Sequence, residues 1–277
     1  MPTFLSPRND IVFKRLFGDA HDTEILTAFL KSTLSLPSED YEEVTLADPH
    51  LRRDDPDDKL GVLDVRVKTT SGRMIDIEIQ VLSTPDMRER IVFYLAKMVT
   101  EQIGSGDSYK KIQPSICILI TDYELIGENW YYHNQYRLHD PKTGSVFTDL
   151  LEVHILELPK LPKSEDGSVL WDWLKFLDAR KEEDLVMLAE KNTEVKKAVG
   201  KLMELSADEQ TRLLAESREK MQWDINSIKH GAREEGREEG RMEERLVFAR
   251  KALAQNIPLE TIVTLTGLSP DEIRTLH

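Results

Sequence analysis

The sequence predicts an α/β protein with an all-helical C-terminal extension, and three observations carry that reading. Leu63-Asp64-Val65-Arg66-Val67-Lys68 and Ile75-Asp76-Ile77-Glu78-Ile79-Gln80-Val81 alternate between apolar and polar residues, as half-buried strands do. The run Ile116-Cys117-Ile118-Leu119-Ile120 is continuously apolar, as expected of a strand covered on both faces. Apolar residues recur at threes and fours before the first strand, and again from residue 169 onward, where no strand pattern occurs.

Over 8–36, Ile11, Val12, Leu16, Ile25, Leu26, Phe29, Leu30 and Leu34 mark helix, broken near Gly18 and Asp19, with Asn9 as a start signal. Residues 48–58 are polar, hold two prolines and read as a loop. Between the alternating strands, Thr70-Ser71-Gly72 suits a three-residue hairpin loop closed by a left-handed glycine. That loop pairs Thr69 with Arg73, and so Lys68 with Met74, Arg66 with Asp76 and Asp64 with Glu78. A helix follows over 86–104, carrying Met87, Ile91, Tyr94, Leu95, Met98 and Val99, and stopped by Gly104-Ser105-Gly106. Strands are expected over 114–121 and, more weakly, over 153–158, which sets the core domain at 1–165.

Residues 166–230 read as a helical extension, with short helices near 182–192, 194–205 and 207–220. Ser206 and Glu209 have the spacing of a capping box for the last of these. Residues 231–245, rich in Arg-Glu-Glu-Gly, hold no apolar stripe; they read as a charged linker or as an exposed helix laced with Glu–Arg pairs. The tail, 246–277, resembles a helix-turn-helix, with Val263, Gly267 and Ile273 at its turn and packing positions. Its second helix opens on acidic Pro270-Asp271-Glu272, which favours packing or self-association over DNA reading.

At 277 residues and 40% apolar, the chain can bury a sizeable core. It has no apolar run long enough to span a membrane and no basic, apolar leader at its start. Cys117 is the only cysteine, which excludes an intramolecular disulfide and a cysteine zinc cage; the seven histidines show no metal-ligand spacing. A cytoplasmic protein fits these features. The net charge of −14 repels nucleic acid, so any DNA affinity must come from a local basic patch, bound metal or both. Candidate contacts are Arg8, Lys14 and Arg15 on the first helix, Arg88, Arg90 and Lys97 on the third, and Lys110 and Lys111 after it. Arg90 and Tyr94 share a helical face, to contact substrate or to buttress the core.

The polar face of the hairpin holds Asp64, Arg66, Lys68, Asp76, Glu78 and Gln80. Such a face is commonly just solvated. The register, however, sets Asp64 across from Glu78, and two facing carboxylates repel. A divalent cation would neutralise them, and oxygen ligands suit Mg²⁺, with Mn²⁺ or Ca²⁺ as alternatives.

An Asp, a hairpin turn and then Glu-x-Gln on the next strand resembles the PD-(D/E)XK nuclease core, with Gln80 in place of the family's lysine. The resemblance extends over nearly the whole chain and is to the recombination-promoting nucleases of the PD-(D/E)XK transposase family. Ser6 to Gly18 resembles that family's opening helix; Arg90, Tyr94, Gly106 and Tyr109 resemble the segment after the active-site strand; Trp171, Phe176 and the Arg-Glu-Glu-Gly repeat resemble its C-terminal half. The resemblance implies a restriction-endonuclease-like mixed sheet flanked by helices. It also implies phosphodiester hydrolysis leaving a 5′-phosphate and a 3′-hydroxyl. Asp64, Glu78 and the backbone carbonyl of Ile79 would ligate the metal, with Asp10 assisting. Gln80 can orient water but carries no charge, so Lys14, Lys68 or Arg66 would supply it.

The function expected is that of a metal-dependent DNA endonuclease associated with recombination or mobile elements. Asp64, Glu78, Gln80, Asp10 and Lys14 would serve catalysis, and Arg8, Arg15, Lys68, Arg88, Arg90 and Tyr94 would meet DNA. A second reading is a nuclease fold without catalysis that binds DNA or protein. A third is a scaffold that forms a homo-oligomer through its tail.

Overall fold

The computed structural model describes residues 4–51 and 62–276, so most of the loop expected over 48–58 lies outside the described residues. Asn9 caps α1 (Asp10–Phe17), its side chain accepting from the Ile11 N–H at 3.1 Å. A Cβ at Gly18 would meet the Lys14 carbonyl at 2.5 Å, so glycine lets the chain leave α1 there, ahead of α2 (Glu24–Thr33).

Among the described residues the sheet has six strands: β1 (Thr45–Leu46), β2 (Val65–Lys68), β3 (Met74–Gln80), β4 (Ser115–Thr121), β5 (His133–His139) and β6 (Val146–Glu157). Their order is β1-β2-β3-β4-β6-β5. β3, β4 and β6 run parallel to one another; β1, β2 and β5 are joined antiparallel, giving the mixed sheet expected. The β2–β3 register is the one the hairpin loop dictates: Val65 faces Ile77, Arg66 faces Asp76 and Lys68 faces Met74. Gly72 takes φ +88°, and Thr69 N–H donates to the Arg73 carbonyl at 3.0 Å.

The third helix, α3 (Met87–Thr100), stops before the glycines expected to end it, and joins β3 to its parallel neighbour β4. The strand expected over 153–158 is the end of the longer β6, and β5 had no sequence signal, its His-Asn-Gln-Tyr-Arg-Leu-His being mostly polar and exposed.

Two apolar layers sandwich the sheet. One face, with Val65, Val67, Ile75, Ile77, Ile79, Ile116, Ile118 and Ile120, packs with α1, α2 and the later helices. The other, with Met74, Cys117 and Leu119, packs with Met87, Ile91, Tyr94, Leu95 and Met98 of α3. The hairpin's polar face is therefore roofed by α3 and is not simply solvated.

Four helices follow: α4 (Val169–Leu177), α5 (Glu182–Lys191), α6 (Thr193–Ala207) and α7 (Glu209–Ala254). Trp173 of α4 is fully buried against Phe17 and Phe29, with ring centroids 6.1 and 5.9 Å away. The boundary expected at 165/166 thus runs through a shared core. The chain divides instead into compact units of residues 1–219 and 220–277.

The capping box expected at Ser206 does not form. Asp208 caps α7, its carboxylate accepting from the Thr211 N–H at 2.8 Å, while Ser206 Oγ takes the Leu5 N–H at 2.9 Å. α6 runs through Ala207, so Ser206 is still helical and the cap falls two residues on. The short helix expected near 207–220 is the start of α7, which continues through 231–245 as an exposed helix. In the second unit, α8 (Leu259–Thr266) and α9 (Pro270–Arg274) turn at Gly267, with φ +70°, over a small core of Ala249, Ala252, Ile262, Leu268 and Ile273.

Candidate active site

Asp64 stands just before β2, and Glu78 lies on β3 at the position facing it in the hairpin register. The two are held crosswise. Asp64 N–H donates to Glu78 Oε1 at 2.9 Å, and Ile79 N–H donates to Asp64 Oδ2 at 3.0 Å. Lys14 reaches in from α1, its Nζ 2.9 Å from Asp64 Oδ1. The carboxylate pair is therefore offset by a lysine, one of the cations expected there.

Strand geometry also leaves a backbone acceptor at this point. Gln80 carbonyl accepts from Asp122 N–H on the β4 side, so alternation turns the Ile79 carbonyl toward the β2 side. Leu63, its ladder neighbour by register, donates instead to the Pro49 carbonyl at 2.9 Å. Two carboxylates and this carbonyl are all oxygen donors, the chemistry that suits a hard divalent cation. Among the described residues, no three His, Cys, Asp or Glu side chains are grouped to hold a metal ion.

Asp76 joins Asp64 and Glu78 on this face and was not expected to matter. It is fully buried; Cys117 Sγ donates to its Oδ2 at 3.5 Å, and among the described residues its Oδ1 has no hydrogen-bond partner. Burial raises the carboxyl groups of Asp76 and Glu78 well above the usual carboxylate range, and the neighbouring carboxylates raise them further. Arg90 opposes this, its charge lowering both. A sequence signal existed: Asp76-Ile77-Glu78 puts both acids on one face, and the apolar stripe of α3 needed a sheet face to cover.

The other expected residues divide. Asp10 binds Arg218 Nε at 2.9 Å, which turns its carboxylate to α7. Arg66 is bound to Glu101 at 2.7 Å and to the Asp48 carbonyl, so it is not the cation beside Asp64. Arg8 bridges Asp122 at 2.7 Å and Asp178 at 3.3 Å, and Arg15 is tied to Thr211 and Asp208. Arg88 is exposed and donates to the Leu125 carbonyl at 2.9 Å. Arg90 donates to Tyr94 Oη at 3.1 Å and lies 5.6 Å from that ring's centre; Tyr94 is buried, so it buttresses α3. Lys68 is exposed, and Gln80 half-buried.

A mixed sheet with helices on both faces, and an acidic pair split between hairpin strands, define a PD-(D/E)XK nuclease-like protein. The model of the PD-(D/E)XK nuclease family transposases matches residues 7–232, and the chain belongs to that family. No curated protein and no solved structure matches it. Among the described residues no helix is long and apolar enough to cross a membrane.

Proposed function

We propose that this chain is a divalent-metal-dependent DNA endonuclease associated with recombination or mobile elements. The observation that carries the reading is the crossed pair: Glu78 held by the Asp64 N–H and Asp64 held by the Ile79 N–H across the hairpin, with Lys14 against Asp64. Asp64, Glu78 and the Ile79 carbonyl would hold the ion, Mg²⁺ in preference to Mn²⁺ or Ca²⁺. That ion would acidify a bound water and polarise the scissile phosphate. Lys14 supplies the positive charge that Gln80 lacks, and is placed to leave Asp64 for a phosphate oxygen. Gln80 would orient water through its amide. The products would carry a 5′-phosphate and a 3′-hydroxyl. Arg88 and Lys68, both exposed, remain as DNA contacts, whereas Arg8 and Arg15 already hold ion pairs within the chain, Arg8 to Asp122 and Asp178 and Arg15 to Asp208.

The pairing of Asp10 with Arg218 favours a second reading, a nuclease fold that binds DNA or protein without cutting. Plasmid nicking separates the two. Nicked product is expected with Mg²⁺ or Mn²⁺, and is lost in Asp64→Ala and Glu78→Ala. Equal nicking by both variants would sink the catalytic assignment.

A further inference from the structure

A pocket with charged lining lies farther along the same hairpin. It has a volume of about 440 Å³ and is lined by Arg66, Lys68, Lys111, Glu101, Gln102 and Gln113, among others. Three cations face one carboxylate, on a chain whose net charge is −14. Arg66 is 9% exposed, and among the described residues its Nε has no acceptor although both terminal nitrogens are bound. A buried guanidinium N–H left unpaired is costly unless something supplies an acceptor. Glu101 is held by Arg66 at 2.7 Å, and Lys111 also meets Asp107. Lys68 is exposed, with its end at the pocket beside Gly72.

We infer that this pocket seats a phosphate oxyanion, supplied by the DNA strand as it runs away from the active site; the strand as source rests on the nuclease reading above. Alternate residues of β2 share one face, so Asp64, Arg66 and Lys68 form a row. At about 3.3 Å per residue, Lys68 stands ~13 Å from Asp64. At about 3.4 Å of rise per nucleotide, that is roughly four nucleotides. The pocket would grip the backbone of a strand whose scissile phosphate lies at Asp64 and Glu78. It reads no sequence, because phosphates carry none.

The test uses the full chain and a Lys68→Gln/Lys111→Gln variant. Both side chains are exposed, so the fold should survive. Duplex binding is followed by fluorescence anisotropy in Ca²⁺ at several salt concentrations, and plasmid nicking in Mg²⁺ is measured in parallel. The variant is expected to bind about tenfold more weakly, with a log–log salt slope shallower by about 1–2. A wild type that nicks DNA while the variant binds with unchanged affinity and slope overturns the pocket and leaves the nuclease reading intact. A wild type that binds DNA through the pocket but never nicks it overturns catalysis alone. Inorganic phosphate provides the other arm, read as a rise in melting temperature. A rise in wild type that the variant lacks, with no change in DNA binding, moves the source from the strand to free phosphate and overturns the DNA contact. No rise and no binding difference removes the site.

Discussion

Lys14 and Asp64 are fifty residues apart and 2.9 Å apart, and their ion pair ties α1 to the mouth of the hairpin. The pair gives Lys14 two opposed roles in the proposed reaction: it competes with a divalent ion for Asp64, and it offers charge to a phosphate. Lys14→Met should therefore tighten Mn²⁺ binding, measured by calorimetry, while slowing nicking about 100-fold. A Lys14 that only braced the fold would lower the melting temperature and leave the metal affinity unchanged.

Asp76 should cost stability when no divalent ion is present. Its carboxyl, like that of Glu78, is raised in the folded state. A raised acid means the folded chain holds protons that the unfolded chain has lost. Stability then falls as pH climbs from the ordinary carboxylate range through the raised folded value. Asp76→Asn removes the Asp76 share of this dependence and leaves that of Glu78, which burial still raises. Denaturant titrations with chelator should find it more stable than wild type at pH 8, by on the order of 2 kcal/mol, and nearly equal at pH 4. A variant weaker at both values would contradict the argument.

His133 and His154 supply a second pH effect with the opposite sign. His133 Nε2 meets His154 Nδ1 at 2.8 Å, and His154 Nε2 meets Glu152 at 2.8 Å. Burial, with His154 beside it, lowers His133 to about 4. Burial works to raise Glu152, but His154, Arg137 and Gln135 hold it at about 2. The unfolded chain protonates its histidine first, so stability is lost as pH falls from about 6.5 toward 4. Discounted for partial exposure, the loss is about 1–2 kcal/mol. His133→Asn should flatten the melting profile in that window, while the loss due to Glu152 remains between about 4.5 and 2. A profile unchanged between pH 4 and 6.5 would remove His133 as the cause.

Trp173→Ala should destabilise the first unit by about 3–5 kcal/mol, because it empties the ring cluster shared by α1, α2 and α4. A fragment of residues 1–165 should fail to show cooperative unfolding by circular dichroism. A cooperative fragment would mean that the sheet is stable without α4 to α6.

The hairpin, its register and the meeting of Asp64 with Glu78 were legible because strand period and a three-residue glycine loop are local rules. Lys14 was legible as a cation near the acidic hairpin through helical spacing from Asp10, and it pairs with Asp64. What escaped was set by packing across the chain. Asp10 could not be seen to face Arg218, which is 208 residues away. Arg66 faces Asp76 in the register, yet its guanidinium turns to Glu101, the residue that follows α3. Strand signal ends near residue 158, but the core does not, since Trp173 and its neighbours on α4 belong to it. Trp173 shows that the strands need the later helices to cover them.

α1 is also clasped from far down the chain. Asn9 Nδ2 donates to the Ala215 carbonyl at 3.0 Å, the Leu5 N–H to Ser206, and Arg218 holds Asp10. A ribosome adding residues from the N-terminus releases the acidic hairpin long before it releases these clasps. Whatever work the carboxylates do, the nascent chain gains its fastened first helix only once residues 206–218 have been made.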